Sequence, residues 1–266
     1  MFDQYNREIS YLRISVTDRC NFRCIYCMPE EGVALKNHSE ILPFSEIAEI
    51  VKVAAQLGIT KIRLTGGEPL VRKNIDELVK MISETRGIEE ITMTTNGVAL
   101  PEMAHKLKQA GLNRVNISLD TLDPVKFKKI TRLGNLDEVL KGIDAAIEAG
   151  LTPVKINFVR IPGVNGEDET SIREFCKSKN LKLRFIRQMN LKTGEFYPVE
   201  GGAGGICPVC NRLRLTADGG LVSCLHSSGK FNTKELGILE AFKMAVEKKP
   251  KRGVGTNSHE FFNIGG

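Results

Sequence analysis

The sequence predicts an α/β fold: a partial (β/α)6 TIM-like barrel with a small C-terminal region built around cysteines. Three observations lead there. From residue 11 to about 190, short β-branched runs alternate with amphipathic stretches, which implies βα units, a parallel sheet and right-handed crossovers. Six such units are too few to close an eight-stranded barrel. After residue 190 the alternation stops at Val199-Glu200-Gly201-Gly202-Ala203-Gly204-Gly205, which reads as a flexible connection. The expected division is 1–190 for the barrel and 191–266 for the C-terminal region, which is too short to build a core of its own easily.

The strand candidates are residues 11–15, 61–65, 90–94, 114–119, 154–159 and 182–187. They are read as lacking clean period-2 alternation, as expected for strands buried on both faces. In the first helix Ile47, Ile50, Val51, Ala54 and Leu57 share a face, and Gly58 fits the stop. The second carries Ile75, Leu78, Val79 and Ile82 on one face, with Asn74 as expected N-cap and Gly87 beyond its end. The longest runs from Leu136 to Ile147 and closes at Gly150. Residues 101–110 and 169–178 complete the set with weaker patterns. Functional side chains should gather at the C-terminal ends of the strands.

Bulk properties narrow the class. The chain has 266 residues, is 41% hydrophobic and 26% charged, and contains no apolar run of the roughly 18 to 20 residues that a membrane span needs. The N-terminus lacks signal-peptide character, so the expected location is the cytoplasm and no membrane is involved. The net charge of +6 would suit a small polyanionic substrate. With 6% aromatics and no Trp, base-stacking on nucleic acid is not expected. The run Lys248-Lys249-Pro250-Lys251-Arg252 reads as a solvated segment.

Seven cysteines cannot all pair within one chain, and in a reducing compartment their spacing reads as metal chemistry. Cys20, Cys24 and Cys27 follow the first strand as C-x3-C-x2-C. Cys207 and Cys210 form C-x2-C, with Cys224 thirteen residues beyond. Three thiolates leave one iron of a four-iron cube open, so each triplet points to a reactive site. Zinc is the alternative at both. At the first it lacks a fourth ligand and a nearby His; at the second, His226 could serve as the fourth. Cys176 shares a helix face with Ile172 and reads as a core residue. After the second strand comes Gly66-Gly67-Glu68-Pro69, where Gly permits close backbone approach and Glu can accept from an ammonium group.

These motifs carry a resemblance. The first triplet, with Tyr26 before its last cysteine, and the Gly-Gly-Glu-Pro segment resemble the radical S-adenosylmethionine (SAM) superfamily. CxxCNRxRLTxDG from Cys207, the stretch 15–29, KIRLTGGEP (61–69), TTNG (94–97), NISLD (116–120), VKIN (154–157), RFI (184–186) and the final Gly265-Gly266 resemble the GTP 3′,8-cyclase family, over nearly the whole chain. The resemblance implies two [4Fe–4S] clusters, one on each triplet, with SAM on the first and the guanine of GTP on the second. It implies abstraction of H3′ by a 5′-deoxyadenosyl radical and attack on C8, the first step of molybdenum cofactor biosynthesis.

Position by position, Tyr26, Gly67, Ser118 and Met189 would hold SAM. Arg13, Lys61, Arg63, Thr94, Lys155, Arg184, Arg212, Leu213 and Arg214 would bind GTP. Arg212, Arg214, Gly265 and Gly266 would serve catalysis, the tail reaching into the active site. The resemblance also implies an external electron donor, a homodimer and a downstream pterin synthase. The basic residues lie near apolar strands, where several buried cations together imply a polyanion.

Two features depart from the family. The stretch 188–206 is shorter by several dozen residues, and Arg187 stands where the family has Glu. Two other readings stay open on the sequence. One is a radical SAM enzyme with an auxiliary cluster acting on a peptide or tetrapyrrole. The other is a non-enzymatic iron–sulfur or zinc module.

Overall fold

The computed structural model describes residues 1–257 and Ile264. Six parallel strands run β1 (Tyr11–Ser15), β2 (Lys61–Thr65), β3 (Glu90–Thr95), β4 (Arg114–Ser118), β5 (Lys155–Arg160) and β6 (Lys182–Arg187), each beside its sequence neighbour. Their connections carry α1 (Phe44–Gln56), α2 (Ile75–Ser83), α3 (Leu100–Gln109), α4 (Pro124–Thr131), α5 (Leu136–Glu148) and α6 (Glu169–Ser178). The barrel stays open, because β6 does not pair with β1. On the far side of β1, β7 (Arg212–Leu215) adds a seventh parallel strand, and β8 (Gly220–Val222) and β9 (Lys230–Asn232) continue antiparallel. The chain then forms α7 (Thr233–Leu236) and α8 (Ile238–Glu247). The C-terminal strands thus extend the barrel sheet, and Leu213, Leu215, Ala241 and Phe242 join the same apolar core.

The strands do alternate, contrary to the sequence expectation. Leu12 and Ile14, Ile62 and Leu64, Ile91 and Met93, Val115 and Ile117, and Ile156 and Phe158 are buried against the helices. The residues between them are polar and turn inward: Tyr11 and Arg13, Lys61 and Arg63, Arg114 and Asn116. Period-2 geometry places successive side chains on opposite faces. Here both faces are buried, but only the outer one is apolar.

Helix α4 is absent from the sequence reading. It starts at Pro124, with Asp123 accepting from the backbone of Val125 and Lys126 at 2.8 and 2.9 Å. Its end supports the loop after β1: Arg23 N donates to Thr131 O, Ile25 N to Ile130 O, and Arg132 Nη1 to the Arg23 and Met28 carbonyls. Phe127 packs edge-on against Phe22 at 6.1 Å. The expected N-cap Asn74 does precede α2, but it is left-handed (φ 57°) and its side chain makes no cap bond.

The glycine-rich connection is tied down rather than loose. Glu200 exchanges backbone hydrogen bonds with Phe185, both at 3.1 Å, covering the open edge of β6. Gly201 (φ +75°) crosses so close that a Cβ would lie 2.5 Å from Leu183 O. Glu200 also pairs with Arg160 and Arg173, which sandwich the Phe185 ring. No helix among the described residues is long and apolar enough to cross a membrane.

Candidate functional site

A cavity of about 500 Å3 fills the barrel, and both cysteine triplets form part of its wall. Cys20, Cys24 and Cys27 lie beyond the C-terminal end of β1. Cys207 and Cys210 lie before the N-terminal end of β7, and antiparallel β8 returns Cys224 to that same end. Since β1 and β7 run side by side, the triplets sit at opposite ends of the barrel, one strand apart, or about 16 Å for five residues. None of the six is paired in a disulfide, and neither is Cys176, which is buried on α6 as expected.

Strand register stacks the cations in layers between these ends. Tyr11 lies level with Lys61 and Arg212; Arg13 lies level with Arg63 and Arg214. Lys61 and Arg63 approach the Tyr11 ring from one side, 5.6 and 5.8 Å from its centre, and Arg212 from the other at 5.8 Å. Burial alone would raise the Tyr11 phenol, but Arg63, Arg13, Arg212 and Lys61 together bring it below its usual value. Glu90 partly balances the set, pairing with Lys61 and with Arg114, the latter at 2.6 Å. Arg63 Nη1 donates to Thr94 Oγ1 at 3.1 Å.

The remaining cations repel one another. Burial and then Arg214 push Arg13 well down; burial and then Arg212 bring Arg214 to about 10. Burial, followed by Arg114 and Arg184, lowers Lys155 to about 8. Arg184 is lowered by burial and by Arg63, and among the described residues its Nε has no hydrogen-bond partner, nor do Nε of Arg63 and Arg212. A polyanion in the cavity would relieve this repulsion and supply acceptors.

The first triplet is held by backbone. Phe22 N donates to Cys20 Sγ at 3.4 Å, and Arg23 Nη1 clamps the Cys20 and Phe22 carbonyls. The Gly-Gly-Glu-Pro turn packs on this loop: Gly67 N donates to Thr17 O and Glu68 N to Arg19 O, both at 2.8 Å. A Cβ on Gly67 would sit 2.2 Å from Arg19 O, so glycine is required for loop-on-loop packing. Glu68 accepts from Thr95 Oγ1, Asn96 N and Leu70 N, and burial raises it to about 7. Tyr26 donates to Asp120 at 2.8 Å; Asp120 also accepts from Val159 N and is raised by burial to about 6. Burial, with Glu68 adding to it, pushes the Cys20 thiol up to about 11.

Cations surround the second triplet. Arg7, buried and paired with Asp3 at 2.6 Å, donates to Cys207 O at 2.9 Å and to Pro250 O at 2.8 Å. Lys249 is 1% exposed, contrary to the solvated reading of its basic run, and donates to Arg212 O and Ser223 O. Burial opposes ionisation of Cys210, but Lys249, the Arg212 backbone N–H and the Arg212 and Arg7 charges bring the thiol below its usual value. His226 is buried against Phe196, ring centres 4.7 Å apart; its backbone N–H reaches Cys224 Sγ, and among the described residues neither ring nitrogen has a hydrogen-bond partner. Burial, then Arg214, lowers it to about 4.

The cavity thus brings together Arg13, Tyr26, Lys61, Arg63, Gly67 and Thr94, and likewise Ser118, Arg184, Met189, Arg212 and Arg214. Lys155 lies outside its wall and acts on it through charge. Leu213 turns its side chain into the apolar core. Gly265 and Gly266 lie outside the described residues; before them Ile264 is buried, and Arg214 Nη1 donates to its carbonyl at 3.4 Å. Arg187 stacks on Tyr197, 3.8 Å from the ring centre, at the shortened stretch. Sequence reasoning missed Tyr11, Arg114, Asp120, Arg7 and Lys249. The strand alternation would have found the first two.

Among the described residues no three Cys, His, Asp or Glu side chains converge closely enough to hold a single metal ion. Each triplet instead presents three thiols to one shared cavity, with backbone N–H donors on the Cys20 and Cys224 sulfurs. That donor set suits a cluster whose irons take one thiolate each.

The comparisons with known proteins place the chain in a family. The Radical SAM superfamily profile matches residues 14–176. A GTP 3′,8-cyclase of Alkaliphilus oremlandii is 41% identical, covering 100% of this chain and 98% of the relative. Another from Thermodesulfovibrio yellowstonii is 44% identical over 89% of this chain and 88% of the relative. The alignment with the A. oremlandii protein spans 314 positions, so that relative carries sequence absent from these 266 residues. Among solved structures, Streptococcus suis SuiB bound to precursor peptide SuiA superposes with a TM-score of 0.67 at 15% identity, over 91% of this chain and 65% of that one. Native anSMEcpe with bound AdoMet gives 0.64 at 14% identity, over 91% and 81%. At such identities the two share the fold.

Proposed function

The chain belongs to the GTP 3′,8-cyclase family of the radical SAM superfamily, and from that premise we propose how its residues divide the work. The activity is radical SAM cyclisation of GTP to 3′,8-cyclo-7,8-dihydro-GTP in molybdenum cofactor biosynthesis. SAM and a [4Fe–4S] cluster, when bound, supply the radical that takes hydrogen from C3′.

Cys20, Cys24 and Cys27 hold that cluster. Tyr26, Gly67, Ser118 and Met189 position SAM, with Asp120 fixing the Tyr26 hydroxyl. Cys207, Cys210 and Cys224 would hold a second [4Fe–4S] cluster, which would supply an iron site for the guanine of GTP. Arg13, Lys61, Arg63, Arg184, Arg212 and Arg214 bind the triphosphate and ribose, Lys155 reinforces their field, and Thr94 orients Arg63. The Leu213 backbone keeps Arg212 and Arg214 on one face. Gly265 and Gly266 serve catalysis, a role supported by the Arg214 hydrogen bond to the carbonyl of the preceding Ile264. Residues 1–190 carry the radical chemistry and 191–266 the auxiliary cluster, with an external one-electron donor, a homodimer and a downstream pterin synthase in the cytoplasm.

One observation carries this reading: a cavity lined by mutually repelling Arg and Lys residues connects two incomplete thiol cages. Reduced, anaerobically reconstituted protein should convert SAM to 5′-deoxyadenosine and GTP to a cyclised purine, and should not cyclise ATP. Production of 5′-deoxyadenosine with no GTP-derived product would overturn it.

A further inference from the structure

A lysine outside the GTP-binding set is buried against the second triplet. Lys249 follows the end of α8, its N–H bonding to Val246 O. Its Nζ crosses beneath β7 and β8, donating to Arg212 O at 2.7 Å and Ser223 O at 2.8 Å. These carbonyls flank the ligands: Arg212 is two residues after Cys210, and Ser223 directly precedes Cys224. An ammonium has three donors, so two fix the carbonyls and one remains, on the same cavity wall as Cys210 and Cys224. No carboxylate pairs with Lys249 among the described residues. A cation this deeply buried and held by carbonyls alone is costly unless an anion lies beside it. The thiolate-ligated second cluster would be that anion.

We propose that Lys249 is a positioning residue that sets the reduction potential of the second cluster. It clamps two ligand-bearing strands and places a fixed positive charge against two cluster sulfurs. Positive charge and hydrogen bonds at the sulfurs favour the reduced cluster, which gains one electron and one negative charge. The first triplet has different surroundings: the buried carboxyl groups of Glu68 and Asp120 lie near its cysteines, with Arg23 as the neighbouring cation. The one-electron potentials should therefore differ, the second cluster being easier to reduce. This inference rests on the reading that Cys207, Cys210 and Cys224 hold a cluster.

The test is a redox titration of anaerobically reconstituted full-length protein, followed by electron paramagnetic resonance, in wild type, K249Q and K249R. Iron content is measured first. About eight irons per wild-type chain supports two cubes; about four would sink the second-cluster reading itself. With two cubes present, K249Q should make the second cluster at least tenfold harder to reduce, about 59 mV for a one-electron couple. The first cluster should not move, and K249R should restore most of the shift. K249Q with full iron and an unchanged second potential would overturn the inference. So would loss of the second cluster from both variants, which would leave Lys249 a packing role alone. Loss from K249Q with retention in K249R would support it.

Discussion

The two cysteine triplets have the same ligand types and different surroundings. Around Cys20, Cys24 and Cys27 the nearby buried charges are the carboxyl groups of Glu68 and Asp120, and burial with these neighbours holds the Cys20 and Cys24 thiols above their usual values. Around Cys210 the neighbours are Lys249, Arg212 and Arg7, and its thiol lies below the usual value, although burial holds Cys224 of the same triplet above it. Supports differ as well: loops and α4 fasten the first triplet, whereas the second is tied to strands, the N-terminal Arg7 and the segment after α8. The cavity is therefore polarised along the barrel axis. A sulfonium cation would suit the carboxyl end and a nucleotide triphosphate the cationic end, as the proposed function requires.

Removing a ligand at each end is the largest perturbation of this contrast. C24S should abolish 5′-deoxyadenosine formation; C210S should leave that formation measurable while the cyclised product disappears. Each should lose about four irons, read by iron assay with mass spectrometry of products. Loss of both activities from C210S with full first-cluster iron would erase the division of labour.

Next is R212A with R214A. Charge-assisted hydrogen bonds contribute about 1.5–3 kcal/mol each, so GTP affinity should fall at least a hundredfold by calorimetry with iron content unchanged. Undiminished affinity would place the triphosphate elsewhere.

A smaller effect comes from Lys155. Its pKa is lowered to about 8 in the free protein, and a bound triphosphate would raise it. GTP affinity should therefore hold steady below pH 8 and decline above it, by about tenfold per pH unit at most. Binding at pH 9 should take up a proton, seen as a dependence of binding heat on buffer ionisation. K155R should flatten the profile; an unchanged profile would show that Lys155 does not sense the ligand.

Smallest is G201A, which tests the strap over β6. A left-handed non-glycine residue costs on the order of 1–3 kcal/mol, and here the new Cβ would also meet Leu183 O. Chemical denaturation should show that loss. GTP affinity should drop only a few fold, because Arg212 Nη2 bonds to Ala203 O in the same strap. Wild-type stability would mean that the strap is not seated on β6.

Much of this was readable in the sequence. Three of the six barrel strands fall on their expected bounds and the other three within one residue at either end, because β-branched runs are cleanly punctuated by glycines. The triplets and the motif-borne cations were legible because ligand spacing and residue type are local properties. Reading the strands as non-alternating hid Tyr11 and Arg114, since Y-L-R-I-S and R-V-N-I-S do alternate once a polar interior is allowed. Helix α4 escaped because eight residues with three lysines offer little apolar face. Lys249 was out of reach: only the packing of α8 against β8 and β9 shows which lysine of a charged run is buried.

The pairing of β7 with β1 also has a consequence for biosynthesis. Tyr11–Ser15 leaves the ribosome early, yet its neighbour Arg212–Leu215 is made some 200 residues later. Until that contact forms, β1 has an unpaired edge, and the cationic face and the second triplet are not in place. Such a distant pairing carries a loop-closure cost and forms late. A chain that has not yet reached Arg212 can therefore carry the first three cysteines but lacks the strand and cations on the far side of β1, and the cavity closes only after β7 has been made.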